Sequence, residues 1–235
     1  MLSKIYSAGV IGIDGFEVVV ECSAWDRIPH FELVGLPDTA VKEAKGRVKS
    51  ACENSGFVFP PLDIVINLAP ADVKKEGSAY DLAIITSILQ CDRVIPSDYD
   101  FSRCALIGEL SLSGEVRAVS GILSMTIAAR DAGRVEVFVP YDNAEEAALV
   151  DGITVYGVKN LRQLINHLRG FERIEPVRFS GASFDLASNT DALDFADVRG
   201  QLKAKRALEI AAAGGHNVLM LGYIDQRQKP PIQTA

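Results

Sequence analysis

The hydrophobic pattern opens with strand-like runs at residues 3–13 and 17–24, flanking Asp14-Gly15, a pair suited to a hairpin turn. Residues 31–34 add a third short strand. Past Pro37-Asp38-Thr39, which reads as a helix start, the period changes. Val41, Ala44, Val48 and Ala51 recur at helical spacing, and Lys42, Lys45, Arg47 and Lys49 fall mostly between them. Gly56 and Pro60-Pro61 close that unit. Residues 62–68 form an apolar strand rich in β-branched side chains, and residues 79–90 form the next helix. Two apolar runs in residues 104–117 are broken by Ser113-Gly114, as in a hairpin. Ile122, Met125, Ala129 and Ala132 mark a helix that ends at Gly133. Residues 135–139, 143–150, 154–158 and 161–168 follow in strand, helix, strand, helix order. This alternation predicts a layered α/β domain of roughly 170 residues around a mixed sheet.

Between residues 170 and 194 the periodicity disappears into a polar connector. Residues 200–222 then read as a helix, a glycine break and a short buried strand. With 235 residues, 48% hydrophobic and 23% charged, the chain has an ordinary globular composition and room for one medium domain plus a fragment. A net charge of −7 argues against nucleic-acid binding by the whole surface, though a local basic patch remains compatible with it. Cys22, Cys52, Cys91 and Cys104 are widely spaced and are expected to be free thiols. There is no signal-peptide pattern and no apolar run long enough to span a bilayer, so a cytoplasmic location is expected.

Few residues suggest chemistry on their own. Ser78 and Asp81 have the S-x-x-D spacing of a capping box for the helix that follows. Ser78 could instead be a nucleophile activated by Lys74 or Lys75, since a serine hydroxyl needs an adjacent base. The basic residues Lys42, Lys45, Arg47 and Lys49 could touch a phosphate backbone or simply be solvated. His30, His167 and His216 lack metal-ligand spacing, so no metal site is expected. After a strand such as residues 217–222, a nucleotide-binding protein places G-x-x-x-x-G-K-[ST]. Here Gly222 is followed by thirteen residues without that loop, Lys229-Pro-Pro231 among them.

The segments Asn67-Leu-Ala-Pro-Ala-Asp72, Lys75-Glu-Gly-Ser-Ala-Tyr-Asp-Leu82 and Gly108-Glu-Leu-Ser-Leu-Ser-Gly-Glu-Val116 resemble the magnesium-chelatase-like YifB/ComM family. The run from Phe195 through Asn217 carries the same resemblance, which covers most of residues 1–222. It implies a Lon-protease-like two-layer α/β domain at residues 1–170, a linker at 171–193, the start of an AAA+ ATPase module at 194–222 and an atypical tail at 223–235. Intact members of the family use ATP and Mg, form hexameric rings, and in ComM-type proteins serve DNA branch migration during competence.

The resemblance also bears on the candidate sites. Lon proteases use a Ser-Lys dyad. Setting Gly77 on the glycine of the Lon serine loop places Ala79, not Ser78, at the nucleophile position, and Ser120-Gly-Ile-Leu123 places Leu123 at the lysine. Both halves of the dyad are then missing. Val198, Gly200 and Gln201 fall where the family contacts adenine in an intact parent; in this chain, with no phosphate loop, no cofactor is expected. The reading is a non-catalytic accessory domain of a DNA-processing motor. Its alternatives are a Ser-Lys hydrolase using Ser78 or a DNA-binding module.

Overall fold

The computed structural model describes residues 1–179, 195, 198 and 200–220. The chain divides into two compact units, Met1–Ser180 and Gly181–Ala235.

The first unit is built on an eight-stranded mixed sheet. Its strands are β1 (Leu2–Ile11), β2 (Asp14–Trp25), β3 (His30–Val34), β4 (Asp63–Ala69), β5 (Cys104–Leu106), β8 (Glu136–Pro140), β9 (Thr154–Val158) and β10 (Pro176–Val177), in the spatial order β10-β9-β8-β5-β1-β2-β4-β3. From β9 to β1 the neighbours are parallel, and β2 runs antiparallel to both β1 and β4. Two short strands, β6 (Glu109–Leu110) and β7 (Val116–Arg117), form a separate hairpin. The mixed α/β sheet expected from the alternation of elements is therefore present.

Side-chain alternation assigns the two faces of this sheet. Ile5, Leu106 and Phe138 enter one core cluster together with α1 (Thr39–Asn54), α2 (Asp81–Cys91) and α5 (Leu161–Leu168). The residues of opposite parity, Ala8, Ala105, Val137 and Val139, enter a second cluster with α3 (Ile122–Asp131) and α4 (Ala144–Ala147). On β2 and β4 only the first cluster is served: Val18, Val20, Cys22, Ile64, Ile66 and Leu68 are buried, and the residues between them are half-exposed.

The helical spacing of Val41, Ala44, Val48 and Ala51 is explained directly, because all four are buried along one face of α1. Asp38 caps this helix by accepting from the Val41 amide at 2.8 Å. One hairpin turn differs from expectation. The β1–β2 connection is Gly12-Ile13, with Ile11 paired to Asp14, and Gly12 adopts φ 64°. Gly15 lies inside β2 for a packing reason: a Cβ there would stand 2.1 Å from the Ser124 carbonyl oxygen of α3. The polar connector also differs, since Pro176–Val177 pairs antiparallel with β9. The proline is tolerated on this outermost strand, where an amide can be spared.

In the second unit the described helix is α6 (Leu202–Gly214), closed by Gly215 at φ 62°. Val218, Leu219 and Met220 are exposed and form no strand, unlike the buried strand expected there. A fully apolar strand needs neighbours on both sides, and the described residues of this unit supply none. Gly222 and the tail at 223–235 lie outside the described residues, as does most of the connector beyond 179.

Truncating Ile66 to alanine at the centre of β4 should cost about 2–5 kcal/mol, because the side chain is fully buried between sheet and helices. Denaturant unfolding should show a lower midpoint with an unchanged slope. Gly35→Ala should also destabilise the fold, since φ is 97° and the new Cβ would meet the Leu68 carbonyl oxygen at 2.2 Å.

Candidate functional site

The loop between β4 and α2, residues 70–80, carries the candidate serine, and backbone contacts hold it to the β3–α1 turn. Lys75 donates its amide to the Leu36 carbonyl at 3.2 Å, and Asp38 donates its own to the Lys75 carbonyl at 3.0 Å. The second carboxylate oxygen of Asp38 accepts from the Gly77 amide at 3.3 Å. Asp38 thus caps α1 and pins the loop at once. The Lys75 side chain is fully buried and donates to the Pro70 carbonyl; burial lowers its pKa, with nearby Asp72 opposing.

Ser78 points the other way, across to β6, where its hydroxyl donates to the Glu109 carboxylate. Arg117 on β7 approaches Glu109 at 3.6 Å. Ala79 is buried, and its carbonyl accepts from the Gly108 amide at 2.8 Å, fastening the loop to the β5–β6 connection. Ser78, Ala79, Glu109, Val119, Ser120 and Met125 line a cavity of about 380 Å³. Leu123, half-buried, lies in α3 between Ser120 and Met125. The loop carrying Ala79 and the start of α3 thus border one cavity.

The lysines near Ser78 in sequence are engaged elsewhere. Lys74 pairs with Glu76 at 2.7 Å on the surface, and Lys75 is committed to Pro70. The Glu109 carboxylate can orient the Ser78 hydroxyl, but the amine that a Ser-Lys pair requires is not its hydrogen-bond partner. Sequence spacing overlooked Glu109, thirty-one positions away; its one legible sign was its place beside the glycine of Gly108-Glu-Leu.

The expected capping box is not formed. Tyr80 occupies the N-cap of α2 without a side-chain bond, and Asp81 turns inward. There it receives two bonds from Arg47 of α1, at 2.7 and 3.0 Å, and one from the Leu110 amide at 3.1 Å. These donors occupy the carboxylate that the capping box would have turned back to the Ser78 amide. Asp81 also holds the Arg47 guanidinium in its charged form, raising its pKa above the ordinary arginine value.

This pairing changes the reading of the basic residues of α1. Arg47 is a structural partner, and Lys45 lies over the Phe31 ring at 5.8 Å, leaving Lys42 and Lys49 as the exposed cations of the four. Of the histidines, the Nδ1 atom of His167 accepts from the Ile174 amide at 2.9 Å, while His30 stands exposed 4.0 Å from Glu32. The described residues contain no group of His, Cys, Asp or Glu arranged to hold a metal.

In the second unit, Val198 is exposed, and Gly200 and Gln201 have φ values of 72° and 52° immediately before α6. Gln201 stands at the N-cap without a side-chain bond. These three residues lie at the entry to the helix.

The first unit is a mixed α/β domain, and its sequence is similar to Lon proteases. Lon protease 2 of Bacillus subtilis is 29% identical over 149 residues, 60% of this chain and 26% of its own length. The family described as subunit ChlI of Mg-chelatase matches residues 20–143, and magnesium chelatase, subunit ChlI, matches residues 194–225. YifB of Salmonella typhimurium and the competence protein ComM of Haemophilus influenzae are each 38% identical, over 94% of this chain and 42% and 43% of their own lengths. The chain belongs to the magnesium-chelatase-like YifB/ComM family. It spans about two-fifths of the length of these relatives.

Replacing Asp81 with alanine should destabilise the first unit by about 3–5 kcal/mol, because Arg47 is left without its partner. The paired replacement Arg47→Met with Asp81→Leu should recover much of that loss in the same denaturant titration. Lys75 yields a prediction in pH. Its folded pKa is depressed, so the unfolded chain binds the proton more tightly and the lysine's contribution to stability rises with pH up to about 10.4. Wild type should therefore gain stability relative to Lys75→Met as pH is raised from about 7 to 10.

Proposed function

We propose that Met1–Ser180 is a non-catalytic, Lon-like accessory domain of a YifB/ComM-type AAA+ motor, and that the chain from residue 194 begins the ATPase module. The observation that carries this reading is the bond from Ser78 to Glu109, beside an alanine at position 79 and a leucine at position 123. A hydrolytic serine of the Lon kind needs a neutral amine to take its proton. Leucine cannot take it, and both lysines of the loop have other partners. The cavity remains as a shaped surface without the pair that would make it a protease.

The nucleotide side of the proposal rests on the family match over residues 194–225. Val198, Gly200 and Gln201 would contact adenine in a complete motor. Nothing among the 235 residues matches a phosphate-binding loop, so we propose that this chain alone neither holds ATP and Mg nor turns ATP over. Hexameric assembly and DNA processing are proposed for the complete motor from the family resemblance, and a part in competence from ComM, by name a competence protein. A cytoplasmic location is part of the same proposal. No described helix is long and apolar enough to cross a membrane.

A fluorophosphonate serine probe separates this reading from the hydrolase alternative. The purified chain should remain unlabelled and leave peptide substrates uncleaved. Labelling that disappears in Ser78→Ala would overturn the accessory role. Titration calorimetry with ATP and Mg should give no binding heat for this chain.

A further inference from the structure

We propose that the outer edge of β3 pairs antiparallel with β3 of a second copy of this chain, about a two-fold axis at Phe31. β3 ends the strand order of the sheet, and among the described residues its neighbour is β4. The opposite edge strand, β10, is two residues long and holds Pro176, both of which blunt an edge. His30–Val34 contains neither proline nor lysine, so this edge has no such protection.

Backbone alternation identifies the groups that face outward. The His30 amide donates to the Leu62 carbonyl at 3.3 Å, in a parallel register that sets His30 beside Asp63. His30, Glu32 and Val34 therefore turn their main-chain groups toward β4, and Phe31 and Leu33 turn theirs away from it. No described residue outside the sheet bonds to the Phe31 or Leu33 main chain. Side chains alternate as well. Leu33 is buried in the core and Phe31 packs against it, while the His30 and Glu32 side chains stand on the open face, 63% and 54% exposed.

Three antiparallel registers bring the outward-facing residues of two β3 strands opposite each other: Phe31 on Phe31, Phe31 on Leu33, or Leu33 on Leu33. The second sets Glu32 against Glu32 at the closest, non-hydrogen-bonded position, where like charges repel. The third sets Glu32 against Val34 and needs Gly35 opposite Phe31, although Gly35 has left the strand at φ 97°. The first is complementary throughout. It sets His30 of each copy against Glu32 of the other, so an imidazole N–H faces a carboxylate twice. Ile28, 88% exposed, comes to stand against half-exposed Val34 of the other copy. The two Phe31 residues exchange a pair of main-chain bonds across the axis, and each Leu33 amide reaches the Pro29 carbonyl of the other copy. Proline is asked there only to accept, which its missing amide does not prevent. The strand thus fits itself, and the occupant of this edge is a second copy. Such an isologous contact closes at two chains and is separate from the hexamer proposed for the complete motor.

Sedimentation velocity of the 235-residue chain over a concentration series should show a monomer–dimer equilibrium. Glu32→Lys, which sets a lysine against His30 of the other copy, should weaken the dimer by about tenfold or more. Adding His30→Glu exchanges the two charges and should restore it. Both side chains are exposed, so neither change disturbs the core. Cross-linking reads the register, since the four native cysteines are buried. An oxidised mixture of His30→Cys and Glu32→Cys chains should be joined by a disulfide between those two positions. A chain that stays monomeric up to about 1 mM, a dimer indifferent to Glu32→Lys, or Glu32→Cys chains that cross-link chiefly to one another would each overturn the proposal.

Discussion

A charge buried without a partner costs several kilocalories per mole, and Arg47 and Asp81 meet that constraint together at the junction of three elements. Arg47 comes from α1, Asp81 opens α2, and the Leu110 amide that completes the carboxylate's shell belongs to β6. The guanidinium also donates to the Ala40 carbonyl at 3.1 Å, which ties it back to its own helix. Fixing Asp81 fixes the start of α2, and with it the loop that presents Ser78 and Ala79. The hairpin is held from the same point, so Glu109 faces that loop at a set distance. Geometry around the cavity therefore descends from one ion pair outside it.

That arrangement equips the cavity differently from a Ser-Lys site. Ser78 is oriented by a carboxylate, Lys75 is buried in the turn that anchors the loop, and the cavity wall at position 79 is a methyl group. Each of these groups has a structural partner, and their shared effect is to stiffen the loop. Under the proposed accessory role, a cavity held in this way would be preorganised for binding, which lowers its cost.

Much of the fold was legible before the structure. The period of Val41, Ala44, Val48 and Ala51 located α1 and its buried face, and the alternation of strands and helices pointed to a layered α/β domain around a mixed sheet. These signals are local, since a helix or strand facing a core must repeat its apolar positions at its own period. The turn at Gly12-Ile13 and the edge strand at Pro176–Val177 were not legible. Gly15 is a glycine because a carbonyl of α3 approaches it, and β10 is a strand because β9 offers it an edge. Asp81 had the spacing of a cap and became an ion-pair partner, since its competing donors lie thirty-four and twenty-nine positions away.

By itself, the chain's sequence determined most of its element types, its mixed α/β class and its family, because periodicity and motif are properties of neighbouring residues. Only the tertiary structure decided what those residues do to one another. It gave Ser78 a carboxylate in place of a lysine, withdrew Arg47 from the basic face of α1, and set the Cys91 thiol against the Cys22 carbonyl. Hydrogen bonds, ion pairs and thiol contacts depend on distances of a few ångströms between side chains, and it is the packing of helices on the sheet that sets those distances.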